Sequence, residues 1–261
     1  MTIVKQEWRS QKIPLLIWSL SIGLLIAACV LMYPDMQSQM AEVNDIFSSM
    51  GNFTAAFGMD RLSFGTLKGY YAVEGGNILG IGGAFYAAIL GVSALMKEER
   101  DHTAEFLLTH PVSRTRVISE KLVGVVSSIL ALNALVILLS ILSILLIGET
   151  VFWKELLLYH FLMLLMQLEI SGICFGVSAY LKRNGLGIGI GIAGLMYVLN
   201  IISNITPDAK FLKYLSAFSY TDGADIMNDC AVQISYLIPG MVLMGIGIFL
   251  AYGKYTRKDI A

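Results

Sequence analysis

Six stretches of this chain are long, apolar and nearly free of charge, and they decide what it can fold into. They run over roughly 13–33, 77–96, 122–147, 156–181, 185–205 and 232–253. Crossing the hydrocarbon core of a bilayer takes about 20 predominantly apolar residues in a helix. The stretches are continuous and lack alternation, so they predict helices rather than barrel strands. Composition agrees. Hydrophobic residues make up 56% of the chain and charged residues only 14%, against about 25% charged in soluble domains. The expected fold is an all-α integral membrane protein with a single transmembrane domain over residues 1–261.

Six spans put both termini on one side of the membrane, and basic residues choose the side. With the termini cytoplasmic, the inner segments hold Lys5, Arg9, Lys12, Lys97, Arg100, Arg114, Arg116, Lys121, Lys182, Arg183, Lys254, Arg257 and Lys258. The outer segments hold Arg61, Lys68, Lys154, Lys210 and Lys213. Thirteen against five favours cytoplasmic termini. The three cysteines, Cys29, Cys174 and Cys230, form no CxxC pair and suggest no disulfide framework. Ile26-Ala27-Ala28-Cys29 matches a lipoprotein cleavage box, but the apolar run continues past Cys29 and argues for an uncleaved span.

The outer segments, 34–76 and 206–231, carry patterns of their own. Met36, Met40, Val43, Phe47 and Met50 recur at helical spacing and suggest an amphipathic helix on the outer membrane surface. Asn52-Phe53-Thr54 fits a glycosylation sequon, a tripeptide common by chance. Asp222, Asp225 and Asp229 could bind a cation. Without a glycine-turn loop around them, solvated helix-end charges are the preferred reading, and no metal site is expected.

Between the second and third spans lies the segment 97–121, which contains KEERDHTAEFLLTHPVSR. Asp101 can cap a short helix, Ala104, Leu107 and Leu108 share a face, Pro111 ends it, and Ser113 can cap the helix that enters the third span. This arrangement predicts a short surface helix joined rigidly to a span, able to turn the motion of a soluble partner into tilting of that span.

The same segment resembles the cytoplasmic signature of permease subunits of type 2 ABC exporters. The resemblance is carried by Glu98, Glu99, Thr103, Glu105, Leu107, Leu108, Pro111, Ser113 and Arg114, while His102 stands where the family has glycine. AAFGMDRLSFGTLKGYY (55–71), LSAFSYTDGADIM (215–227) and YTRKDI (255–260) are similar to other parts of that family. The resemblance implies that residues 99–110 are a coupling helix seated on a separate ATPase subunit, which would hold the ATP and magnesium. It also implies a second permease, identical or related, a bacterial plasma-membrane location, and an N-terminal interfacial elbow helix over Met1–Lys12. Lipids are the other expected partner, and nucleic acid is not.

The chain has no G-x-x-x-x-G-K-[ST] loop for ATP, and no cofactor of its own is expected. A G-x-G-x-x-G match at 189–194 is embedded in a span with no strand before it. Gly185 with Gly189, and Gly187 with Gly191, form overlapping small-xxx-small pairs. These suit close helix packing, either against the partner permease or within the subunit.

Glu169 sits near the middle of the fourth span, where no span offers a lysine or arginine to pair with it; Gln167 and, at similar depth, Asn133 are nearby polar residues. Three roles compete for Glu169: structural glue, protonated and hydrogen-bonded with Asn133 as one candidate partner, a charge facing a hydrated conduit that meets a cationic substrate, or a contact at the subunit interface. The expected function is the permease subunit of an exporter for a hydrophobic or amphipathic substrate. A scaffold or sensor coupled to an ATPase is the main alternative. A lipid-modifying enzyme is disfavoured because no catalytic acid–base cluster is visible.

Overall fold

The computed structural model describes residues 2–49, 51, 54, 56, 61–100, 113–181 and 185–257; at 2, 38–49 and 98–100 it describes the backbone alone. Among the described residues there is no strand. The helices are α1 (Thr2–Ser49), α2 (Leu67–Gly75), a π-helical turn (Gly76–Ile81), α3 (Gly82–Arg100), α4 (Arg114–Leu146), α5 (Trp153–Ser178), α6 (Leu186–Ile205), a 3-10 helix (Pro207–Leu215), α7 (Gly223–Asp229) and α8 (Ile234–Arg257). Six helical segments are long and apolar enough to cross a membrane: α1, the α2–π–α3 run, α4, α5, α6 and α8.

The boundaries differ from the sequence expectation in two places. The elbow region is helical but continuous with the first span, and the helix runs on through the residues expected to lie flat on the outer surface. At 1.5 Å per residue, 48 residues reach about 72 Å, more than twice the ~30 Å hydrocarbon core. Pro14 and Pro34 fall inside α1 without ending it. The second span begins at Leu67 rather than Asn77, because Thr66 caps α2 by accepting from the Gly69 amide and the following π turn passes the helix into α3. The described part of the outer segment 34–76 is therefore largely helical. The sequon residue Asn52 lies outside the described residues.

Packing sorts the spans into a core and a periphery. α5 lies against α3 on one side and α8 on another, while α1 packs along α4. The second span and α5 are the most enclosed, whereas α6 and α8 turn most of their apolar surface outward. Glycines permit the closest approaches. A Cβ on Gly91 would lie 2.3 Å from the Ser171 carbonyl oxygen, and one on Gly176 2.5 Å from that of Gly247. Backbone-to-backbone contact of this kind is how helices associate where water supplies no hydrophobic drive.

Candidate coupling base and buried polar sites

The residues 97–121 sit between the end of α3 and the start of α4. Residues 101–112 lie outside the described residues, and with them Thr103, Glu105, Leu107, Leu108 and Pro111. Glu98 and Glu99 belong to the last turn of α3. Ser113 caps α4, its hydroxyl accepting from the Arg116 amide at 3.3 Å, and Arg114 is the first helical residue.

The first four turns of α4 form a polar base that grips three other helices. Glu120 accepts from the Ile3 and Val4 amides at 3.0 and 3.4 Å, satisfying unpaired N–H groups at the start of α1. Arg116 holds the same carboxylate through Nε at 2.9 Å. Lys121, only 1% exposed, donates to the Ala94 carbonyl of α3 at 2.8 Å and to Glu7 of α1 at 3.2 Å. Glu7 also lies 3.7 Å from Lys97, which donates to Ser10. Trp8 Nε1 donates to Ser127 at 2.8 Å, and Ser119 and Tyr252 of α8 share a hydroxyl hydrogen bond at 2.7 Å. The start of α1, the end of α3, the start of α4 and the last turns of α8 thus meet at one end of the bundle. Sequence reasoning counted Lys121 only as an inner positive charge and overlooked Glu7; an acid inside a basic amphipathic segment was the available signal.

Farther along the bundle, several buried polar groups pair across helices, although Asn133 Oδ1, Gln167 Nε2, His160 Nδ1 and Tyr86 Oη make no hydrogen bond among the described residues. Asn133 Nδ2 donates to Gln167 Oε1 at 2.7 Å and to the Ile129 carbonyl at 2.9 Å. Gly83 makes room for that amide, since a Cβ there would fall 2.3 Å from Gln167 Nε2. Tyr71 Oη lies 2.8 Å from both Ser140 Oγ and His160 Nε2.

Glu169 is hydrogen-bonded, but its partner is not Asn133, which pairs with Gln167 instead. Tyr220, from the segment before α7, donates to Glu169 Oε2 at 2.8 Å, and Gly240 of α8 packs so closely that a Cβ would meet that oxygen at 2.2 Å. Gln167 and Glu169, two residues apart on α5, point to different neighbours, and only Gln167 faces Asn133. The 1% exposure of Glu169 leaves no open water path to it in this conformation. Burial, and then the Glu169 charge, push the Tyr220 phenol well above its ordinary range, so it stays a donor. Tyr220 is distant in sequence and outside the spans, which is why sequence spacing could not supply it.

Two of the three carboxylates at the far end, Asp222 and Asp225, are paired, while Asp229 is an exposed charge at the end of α7. Arg61 bridges Asp222 and Asp225 with its two terminal nitrogens, and Asn228 donates to the Arg61 carbonyl at 3.0 Å. Asp222 also caps α7 by accepting from the Ala224 amide at 2.9 Å. Burial raises the Asp222 carboxyl pKa, and Arg61 opposes that shift.

The glycine pairs on α6 divide by face. A Cβ on Gly185 would meet Leu181, Met96 and Val92, and one on Gly189 would meet Val92 and the Ala88 carbonyl, so this pair packs onto α3. Cβ atoms on Gly187 and Gly191 would meet nothing within 4 Å. The G-x-G-x-x-G match lies wholly within the helix.

A family model described as "ABC-2 family transporter protein" matches residues 1–257. The chain belongs to the ABC-2 transporter family. It is a transmembrane permease subunit of an ABC transporter, a multi-pass membrane component that works with a partner ATPase subunit. No curated protein matches the sequence. In this ABC-2 permease, the helices on either side of residues 101–112 are among those tied together by the α4 base.

Removing the Tyr220 hydroxyl tests the Glu169 pairing. Tyr220→Phe leaves a buried carboxylate without its donor and should lower unfolding stability in detergent by about 1–3 kcal/mol. Glu169→Gln keeps an acceptor for Tyr220 and should cost less. Equal stability of Tyr220→Phe and the parent would show that the bond carries no weight.

Proposed function

We propose that this permease forms half of the pathway of an ATP-driven exporter in a bacterial plasma membrane, with both termini cytoplasmic. ATP-driven closure of the partner ATPase pushes the segment 99–110, and the α4 base passes that push to α1, α3 and α8. The observation that carries this reading is the buried Lys121, which joins α3, α4 and α1 directly behind the coupling segment. A buried pair of this kind is costly to separate, so the joined helices should move as a body. The resemblance and the apolar character of the spans support a hydrophobic or amphipathic substrate, such as a drug, an antimicrobial peptide or a lipid-like molecule.

The role of Glu98, Glu99, Thr103, Glu105, Leu107, Leu108, Pro111, Ser113 and Arg114 in ATPase contact rests on the sequence pattern. Its test is direct. Affinity purification in mild detergent should recover an ATPase of about 25–35 kDa, the size of one nucleotide-binding domain. Glu105→Arg with Leu108→Asp should keep the permease folded and the ATPase bound or releasable, but abolish substrate-stimulated hydrolysis and vesicle transport. Normal transport by that variant would refute the coupling role. A complex that hydrolyses ATP in response to ligand yet moves nothing into vesicles would instead support the scaffold or sensor reading.

A second permease would pack on the outward face of α6. Gly187 and Gly191 are open on that face, while Gly185 and Gly189 are occupied by α3. Gly187→Leu with Gly191→Leu should therefore reduce permease cross-linking without loss of folded monomer. Gly189→Leu should destabilise the monomer itself, because its side chain would enter Val92 and the Ala88 carbonyl. Unchanged cross-linking in the first variant would remove the glycine face from the interface.

A further inference from the structure

The outward-turned helices α6 and α8 do not close on each other, and the cleft between them changes character along its length. Its membrane-embedded part is apolar, about 450 Å³, with Leu195, Met196 and Leu199 of α6 facing Leu243, Ile246 and Leu250 of α8 over a floor from α5. At the end away from the start of α1, the same two helices border a polar cavity of about 300 Å³, lined by Ser203 and Asn204 of α6, by Tyr236 of α8 and by Gln233 just before it. The two cavities share no lining residue, but helical register sets their linings on the same face of each helix. Ile192, Met196, Leu199 and Ser203 recur at four- and three-residue steps on α6, as Tyr236, Leu243 and Leu250 recur at sevens on α8.

The 3-10 helix sits at the junction of the two parts. Its Leu215 lines the apolar part, and its Lys210 and Lys213 line the polar part. Phe211 and Tyr214 stay exposed at 64% and 47%, as expected of an interfacial helix that dips aromatic side chains into lipid. Ser216, just past its end, donates to the Met196 carbonyl at 2.7 Å and pins it to α6. Asp222 and Asp225, the two carboxylates in the polar cavity, are both engaged by Arg61. Lys210 and Lys213 form no ion pair among the described residues, although Lys213 lies over the Tyr236 ring and its field reaches Asp222. Three cations against two carboxylates leave the cavity positive.

We propose that this cleft holds a single anionic phospholipid of the surrounding bilayer, with its phosphate at Lys210 and Lys213 and one acyl chain between α6 and α8. A cationic pocket opening onto an apolar groove matches an amphiphile with a negative head. The length fits too: from Ser203 to Ile192 the groove covers about 16 Å at 1.5 Å per residue, close to the ~15 Å of one leaflet's hydrocarbon. The site does not depend on what the permease transports or in which direction.

Native mass spectrometry of the delipidated full chain tests it, with phosphatidylglycerol, phosphatidylcholine of the same chains, and glycerol phosphate as probes. Phosphatidylglycerol should bind about tenfold tighter than phosphatidylcholine, as expected for a charge-assisted phosphate contact. Lys210→Gln with Lys213→Gln should erase that preference, Lys210→Arg with Lys213→Arg should keep it, and Leu199→Trp should weaken both lipids by filling the groove. Should the glutamine variant not fold, the preference of the parent must still fall as salt is raised. Equal binding of the two lipids, a preference that survives the glutamine substitutions or added salt, or glycerol phosphate binding as tightly as the lipid would overturn the proposal. So would a dimer whose second copy covers the cleft and excludes lipid.

Discussion

Lys121 is the charge on which the arrangement of this bundle turns. Its ammonium has been drawn out of water and is compensated by the Ala94 carbonyl and the Glu7 carboxylate. A buried ammonium without partners would cost several kcal/mol, so the three helices that supply and surround those groups are held in one relative position. Glu120 reinforces the same junction by capping α1 from α4, and Gly124 lets Glu7 approach within 3.1 Å of where a Cβ would sit. In sequence, the segment proposed to contact the ATPase connects two of those helices. Any force on it therefore meets a braced base rather than separate helix ends.

The rest of the bundle answers the same constraint in lipid, where backbone and side-chain polar groups must find partners within the protein. Asn133 with Gln167, Tyr71 with Ser140 and His160, and Tyr220 with Glu169 each join different elements. Each of these pairs has one member on the enclosed helix α5, while the outward helices α6 and α8 carry open glycines and an apolar groove. The division suits a permease with a rigid interior and a periphery free to meet lipid or a second subunit.

Fold class was legible in the sequence because span length and continuity depend on bilayer thickness alone. Element ends were less legible. Pro34 stood at the expected end of the first span but is accommodated within α1, and the start of the α2 helix was hidden because Lys68 and Glu74 lower its hydropathy. Pairings between elements were beyond sequence periodicity. The partner of Glu169 comes from a segment some fifty residues away, and Arg61 reaches Asp222 and Asp225 across more than 160 positions. The glycine pattern was visible, but which pair faces inward depends on the rotation of α6 against α3.

The account stands on α1 and α4 moving together when the ATPase acts. Spin labels at Lys5→Cys and Thr115→Cys, both exposed and outside the polar contacts of the base, report that directly in the complex with its ATPase. The account predicts the same distance distribution by pulsed electron resonance in nucleotide-free and ATP-bound states, and a broadened one when Lys121→Met is added. A distance that shifts on ATP binding in the otherwise unaltered chain would show that the base comes apart during the cycle and would contradict it.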